Sequence, residues 1–328
     1  VIRWFLLAYV ALWLVACGEG DRTAPRTSTP AEAGLEKVSL VLNWFPEAEH
    51  GGFYAALVHG FYREAGIEME IRPGGVDIPV IQMVDMGRVD FGVANADPIL
   101  IGRGQGADVV AVMAPIQVSP RCLVVRADSR VQTFDDLHDL TLAMSPRAPF
   151  AHFLRRTLPL RNVSIVGYPG NVAPFLAGQV DAMQGYVFSE PYVAEQQGVP
   201  TRVLMVSDLG FDPYASCLLV RRATLEQRPD LVRRVVQASV RGWLHYFEHP
   251  EETNRHINSL NPEMDLGILA YGVEVLRPLC FTDDVPAADF GRMTAERWDT
   301  LRVQLEELDI VRAGAVRTAE LFTNDFLR

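Results

Sequence analysis

The sequence predicts an α/β fold of two similar lobes, each a mostly parallel sheet flanked by helices, and three observations carry that prediction. Short apolar runs alternate with helix-period segments along most of the chain, which is the pattern of βαβ units. One such unit occurs twice. The chain of 328 residues, 49% of them hydrophobic, is larger than one small core requires and large enough for two.

In chain order, Val38 to Trp44 reads as a strand, Gly52 to Ala65 as a helix and Glu68 to Arg72 as a second strand. Pro79 to Met86 has helix periodicity, while Val89 to Asn95 and Asp108 to Ala114 read as strands. The rhythm resumes in Leu140 to Met144, Phe150 to Leu158, Val163 to Tyr168, Val172 to Ala177 and Val180 to Val187. Beyond about Glu226 the chain is mostly helical, as in Leu231 to Phe247 and Thr294 to Leu308. In the repeated unit, Pro73-Gly74-Gly75-Val76 precedes a helix that ends in Gly87-Arg88-Val89-Asp90 and a strand. Pro169-Gly170-Asn171-Val172 precedes a second helix, which ends in Gly178-Gln179-Val180-Asp181 and a strand. Glycine suits the position just past a helix, where a left-handed residue closes the last turn.

Arg3 is followed by an almost wholly apolar stretch from Trp4 to Ala16 and then by Cys17. That stretch is too short for a permanent membrane span but suits the core of a secretory signal. Leu14-Val15-Ala16-Cys17 resembles the bacterial lipobox, so residues 1–16 read as a signal peptide and Cys17 as a lipidation site. Gly18 to Gly34 is rich in Pro, Thr, Ala and charge without hydrophobic period, so residues 17–37 read as the lipidated cysteine and a flexible tether. The folded body is then expected outside the cytoplasm, held to a membrane by lipid.

A net charge of −11 argues against nucleic acid, which demands basic surface. Cys122, Cys217 and Cys280 have no metal-ligand spacing and cannot form a complete disulfide framework. Cys122 and Cys217 lie in strand-like runs and would either pair, if those strands are neighbours, or be buried as thiols. There is no G-x-S-x-G elbow, P-loop lysine or H-E-x-x-H run, and the seven histidines are scattered. No catalytic residue, metal or cofactor is expected.

In open α/β sheets, ligands settle beyond the carboxyl ends of the strands. The loops there are Phe45 to His50, Asn95 to Pro98 and Gln117 to Pro120 in one lobe, with Ser145 to Phe150 and Val187 to Tyr192 in the other. The run from Trp44 to Tyr54 is the densest cluster of aromatic and ionisable residues, with rings to stack on a planar ligand and carboxylates to accept its N–H groups. Trp44 and His50 read as ligand contacts. Glu47 and Glu49, two apart in an extended loop, would point opposite ways, toward ligand or toward solvent. Glu190, held by Pro191, is placed to accept two hydrogen bonds from an amino-heterocycle. Asn95 and Asp97 occupy the matching place in the first lobe, where Asp97 suits either ligand contact or a helix cap. Tyr54, Gln117, Ser145, Tyr186 and Tyr192 complete the candidate set.

Leu42-Asn43-Trp44 through Tyr54, Gly87-Arg88-Val89-Asp90-Phe91-Gly92 and Tyr186 to Tyr192 resemble the solute-binding proteins of the sulfonate, nitrate and thiamine-pyrimidine group. The resemblance spans roughly Val38 to Glu248 and is nearest the thiamine-pyrimidine precursor branch. It implies a two-lobed periplasmic binding protein of type II-like architecture. Lobe 1 would be residues 38–121 plus 217–328 and lobe 2 residues 122–216, with a two-crossing hinge near Cys122 and Cys217. It further implies a monomer that closes on a small solute and serves an ABC permease and its ATPase. The ligand would be aminopyrimidine-like, stacked on Trp44 and bonded by Glu190, although riboflavin binders share the scaffold and sulfonate or nitrate binders belong to the same group. The group also includes a fungal pyrimidine synthase with a histidine after the third strand and a cysteine cluster before the hinge return. Here those places read Asp97-Pro98 and Tyr214-Ala215-Ser216-Cys217-Leu218, and both features are missing. An enzyme is therefore not expected, and a structural lipoprotein is the remaining alternative class.

Overall fold

The computed structural model describes residues 34–328. Cys17, the leader expected over residues 1–16 and most of the expected tether lie outside the described residues. The strands are β1 (Glu36–Val41), β2 (Ile67–Arg72), β3 (Phe91–Ala94), β4 (Val109–Met113), β5 (Arg121–Arg126), β6 (Leu140–Ala143), β7 (Val163–Val166), β8 (Ala182–Tyr186), β9 (Thr201–Met205) and β10 (Cys217–Arg221). They form two five-stranded sheets, ordered β2-β1-β3-β10-β4 and β7-β6-β8-β5-β9. In each sheet one strand, β10 or β5, runs antiparallel to both neighbours, and the other strands are mutually parallel. The two orders coincide when β6 to β9 are laid on β1 to β4.

The repeated sequence unit has a physical basis. Helix α3 (Val80–Asp85) and helix α6 (Ala173–Leu176) each close on a glycine in the left-handed region, Gly87 at φ 66° and Gly178 at φ 67°. The next N–H in each case reaches back five residues, Arg88 to the Met83 carbonyl and Gln179 to the Pro174 carbonyl, both at 2.9 Å. Val89 and Val180 are buried. The aspartate that follows accepts from the strand parallel to the one it leads into, β1 or β6: Asp90 from the Ser39 N–H and hydroxyl (2.9 and 2.8 Å), Asp181 from the Thr141 N–H (2.7 Å). Gly-x-Val-Asp thus closes a helix, plugs the core and pins the strand beside the central one.

Strand alternation covers both faces of each sheet. Leu40 and Leu42 in β1 and its extension, Phe91 and Val93 in β3, and Leu218 and Val220 in β10 face one core; Val41, Ala94, Cys217 and Leu219 face another. The first of these cores is covered by α1 (Gly51–Val58) and by α9 (Pro229–Glu248), reached after α2 (Phe61–Glu64), α4 (Ala96–Gly104), α5 (Pro149–Thr157), α7 (Glu190–Gln196) and α8 (Arg222–Gln227). The helix expected over Gly52 to Ala65 is split into α1 and α2 because Gly60 takes φ 77°, a left-handed conformation that no α-helix continues through. Helices α1 and α9 cross backbone to backbone: a Cβ on Gly242 would lie 2.2 Å from the Gly52 carbonyl, and one on Gly52 would lie 2.0 Å from the Trp243 ring. The chain ends through α10 (Glu251–Leu260), α11 (Leu266–Cys280) and α12 (Ala295–Glu307).

Two segments, 114–120 and 206–216, link the sheets and run side by side, joined by an Ile116–Ala215 bridge and by the Ser119 N–H donating to Asp212 at 2.6 Å. Cys122 and Cys217 stand in different sheets and pack in different cores, so the neighbour condition for a disulfide fails; both, with Cys280, are buried free thiols.

Removing the Asp90 carboxylate strands the half-buried Ser39 N–H. Asp90→Ala should lower the unfolding free energy by about 1–3 kcal/mol, read as an earlier urea midpoint, with Asp90→Asn losing less because one acceptor oxygen remains.

Candidate functional site

The site forms where both sheets present their carboxyl ends. After β1 the chain leaves as Leu42-Asn43-Trp44, and its backbone lies directly on Gly74, whose N–H donates to the Trp44 carbonyl at 3.0 Å. A Cβ on Gly74 would sit 2.3 Å from the Leu42 carbonyl, which explains the glycine after β2. The chain then tightens into a single 3-10 turn over Ala48–His50, capped by an extended Glu47. Glu47 and Glu49 both reach the same cavity, contrary to the opposite directions expected of them, an expectation that overlooked that residues two apart in an extended segment share a face.

Glu47, Glu49 and His50 are 5%, 0% and 0% exposed. His50 Nε2 lies 3.0 Å from Asn43 Oδ1 and 3.2 Å from Glu49 Oε1. Burial lowers its pKa to about 3, so it stands as a neutral imidazole donating from Nε2. Glu49 is completed by Asn43 Nδ2 at 3.5 Å and the Ser216 hydroxyl at 3.3 Å. Ser216 holds φ 51°, a left-handed conformation costing about 1 kcal/mol or more in a non-glycine residue, at the end of the second crossing. Its N–H donates to Asn95 Oδ1 at 3.1 Å. Burial raises Glu49 to about 7, and burial with Glu49 and Glu190 beside it holds the Glu47 carboxyl well above the usual carboxylate range.

The facing wall comes from the second sheet. Glu190 opens α7 and accepts from the Tyr186 N–H and the Tyr168 hydroxyl, both at 2.7 Å. Gly185 leaves the room: a Cβ there would lie 3.1 Å from the Glu190 carboxylate. Arg121, at the start of β5, lays its guanidinium 4.2 Å from the Tyr186 ring centre and 4.9 Å from that of Phe150. Asn95 Nδ2 donates to the Tyr186 hydroxyl at 2.8 Å, a direct bond between the lobes. Between these walls is a cavity of about 510 Å³. A groove of about 380 Å³ adjoins it along Ile78, Pro79, Pro98 and Ile101, with Trp44 and Asn95 common to both.

Of the candidates read from sequence, Trp44, Glu47, Asn95, Ser145, Tyr186 and Glu190 line the cavity. Five do not. His50 stands behind Glu49. Tyr54 is buried in α1 with its ring 5.5 Å from His256. Asp97 lies in the first turn of α4 while Asn95 takes the cap position; one of its oxygens is buried without a partner, and burial raises it to about 6. Gln117 donates to the Ala114 and Arg292 carbonyls and braces the first crossing. Tyr192 packs on Tyr271 of α11, with ring centres 5.0 Å apart. Sequence reading missed Asn43, Arg121, Tyr168, Gln184 and the supporting Ser216. Tyr168 follows β7 in the second copy of the repeat, so the carboxyl-end rule applied to that strand would have found it. Among the described residues, no cluster of His, Cys, Asp and Glu is arranged to hold a metal ion.

A family described as NMT1/THI5 like matches residues 47–253. The riboflavin-binding protein RibY of Chloroflexus aurantiacus is 25% identical, covering 97% of this chain and 95% of its own. The formylaminopyrimidine-binding protein of Halalkalibacterium halodurans is 23% identical, covering 92% of each. In fold, the chain is similar to the periplasmic aliphatic sulphonate binding protein SsuA from Escherichia coli, with a TM-score of 0.66 at 18% identity over 87% of this chain and 91% of that one.

Glu49 and His50 load the pH profile in opposite senses. The folded Glu49 titrates near 7 against a model-peptide 4.5, so its stabilisation is complete below about pH 4.5 and is lost as pH rises through about 7. His50, lowered from 6.5 to about 3, contributes stability above 6.5 that is lost as pH falls. Glu49→Gln should therefore melt several degrees above the wild type at pH 8, with the gap closing by pH 4.5, as followed by calorimetry.

Proposed function

The chain belongs to the NMT1/THI5-like family, and we propose that it is the extracytoplasmic solute-binding protein of an ABC importer, capturing a small flat heterocycle between its lobes by domain closure. The observation that carries this is the composition of the interlobe cavity: Trp44, Tyr168 and Tyr186 offer ring faces, and Glu47, Glu49 and Glu190 offer hydrogen-bond acceptors from both sides. A ligand that touches both walls stabilises the shut form, which a permease can then distinguish from the open one. The lobe division at 38–121 plus 217–328 and 122–216 belongs to this reading, as do action as a monomer and lipid attachment through Cys17.

The carboxylates also rank the ligand classes. A sulfonate or nitrate would bring only acceptors and a negative charge among three acidic side chains, with Arg121 as the cation lining the cavity, whereas a ring carrying N–H groups meets carboxyl oxygens able to accept them. The relatives' printed ligands, riboflavin and formylaminopyrimidine, are both flat heterocycles. An enzymatic reading is less well supported. The place after β3 holds Asp97 with α4 around it, and the one cysteine near the second crossing, Cys217, is buried with its thiol pushed up by desolvation, the opposite of an activated nucleophile.

A thermal-shift panel of aminopyrimidines, thiamine, riboflavin, taurine and nitrate tests the class, since a ligand bound by the folded state alone raises the melting temperature. A flat heterocycle should give the shift. Trp44→Ala should weaken that ligand by roughly ten-fold or more, since stacking adds about 0.5–1.5 kcal/mol beyond area burial, while the ligand-free melt barely moves. Unchanged affinity in the variant, or a shift with taurine or nitrate only, would overturn the assignment.

A further inference from the structure

We infer that Glu47 meets the ligand as a carboxylic acid, donating its O–H to a ring acceptor while its carbonyl oxygen accepts the neighbouring N–H, so that the site selects heterocycles with an acceptor-donor edge. This rests on the proposed function and names the edge that function requires. The argument begins with the three carboxylates. Glu49 is engaged by Asn43, His50 and Ser216, and Glu190 by Tyr168 and Tyr186. Glu47 is 5% exposed and lines the same cavity, and its carboxyl makes no hydrogen bond within the described residues. Its carboxyl faces the cavity with no protein donor, so once the site is closed a ligand is what completes its hydrogen bonding.

The groups around Glu47 decide its charge. Glu49 faces it from the same turn, and Glu190 and the Tyr168 phenol face it from the second lobe. Asp77 and Glu263 line the same cavity, and His50 is neutral. Arg121 is the cation of the cavity, and its guanidinium lies over Tyr186 and Phe150 rather than against a carboxylate. Three carboxyl groups in one cavity disfavour full ionisation, and the carboxyl without a hydrogen-bond donor is the one that keeps its proton. Burial and the two glutamates raise Glu47 accordingly.

A neutral carboxyl presents a donor and an acceptor side by side. An aminopyrimidine ring nitrogen next to its amino group matches that pair, and so does the carbonyl next to the ring N–H of a flavin. A sulfonate or nitrate offers acceptors alone. Ionised, Glu47 would lose the donor half of the match and add repulsion, so binding weakens as pH rises through its titration.

Titration calorimetry with two probes, 4-amino-5-hydroxymethyl-2-methylpyrimidine and riboflavin, on the wild type and Glu47→Gln at pH 6 and pH 9 tests this. Gln keeps one N–H donor and one acceptor oxygen but does not ionise. The readout is the ratio of the two proteins' affinities, in which the titration of the probe and of Glu49 largely cancels. For the probe that binds, the ratio should lie within about three-fold of unity at pH 6, and any change by pH 9 should favour Gln. Loss of more than about ten-fold in Glu47→Gln at pH 6, with its melting temperature intact, would show an ionised acceptor and overturn the inference alone, as would a ratio that moves in favour of Glu47 as pH rises. Failure of both probes to bind the wild type would overturn the heterocycle reading beneath it.

Discussion

Three carboxylates enclosed between two lobes, with Arg121 as the cation among the residues lining their cavity, form the constraint around which this structure is arranged. Burying a carboxylate is costly without donors, and three in one space repel as well. The fold answers part of that cost with its own groups. Asn43, His50 and Ser216 attend Glu49, and two donors from the second lobe attend Glu190. What remains unanswered is Glu47. An unsatisfied acid in a cavity that both lobes share gives a ligand, rather than the polypeptide, the task of completing the interface.

Delivering these groups depends on backbone more than on side-chain packing. Gly74 lets the Leu42-to-Trp44 segment lie flat on the loop after β2, the entry to the 3-10 turn carries Glu47 and Glu49 into one cavity, and Gly185 clears space for Glu190. The strained Ser216 ties Glu49 to the second crossing, and Asn95 binds both Ser216 and Tyr186. The segments that link the two sheets are thus hydrogen-bonded to the residues that line the cavity. Under the proposed function, this is how ligand contact and closure become one event.

The sheets were legible because their signals are local. Alternation of apolar residues marks each strand, and Gly-x-Val-Asp marks each helix end that hands the chain back to the sheet. The duplicated Pro-Gly turn made two lobes readable before any contact was known. The site was only half legible, because membership depends on whether a side chain points at the cavity or behind it. His50 and Tyr54 share the aromatic cluster with Trp44, yet the 3-10 turn and α1 direct them into the core. Gln117 lies in a loop of the right kind but is used up by two carbonyls. Arg121 carries no motif, and its role appears only when β5 and β8 pair and set Tyr186 beneath its guanidinium.

The account stands most directly on where a ligand sits. A crystal structure of the protein purified with its bound solute, or soaked with the compound giving the largest thermal shift, measures this in one step. The account predicts a flat ring against Trp44, with Glu47, Glu49 and Glu190 all within hydrogen-bonding distance of it and the lobes closed over it. A ligand seated elsewhere, or an anion held by Arg121 with the three carboxylates turned away, would contradict it.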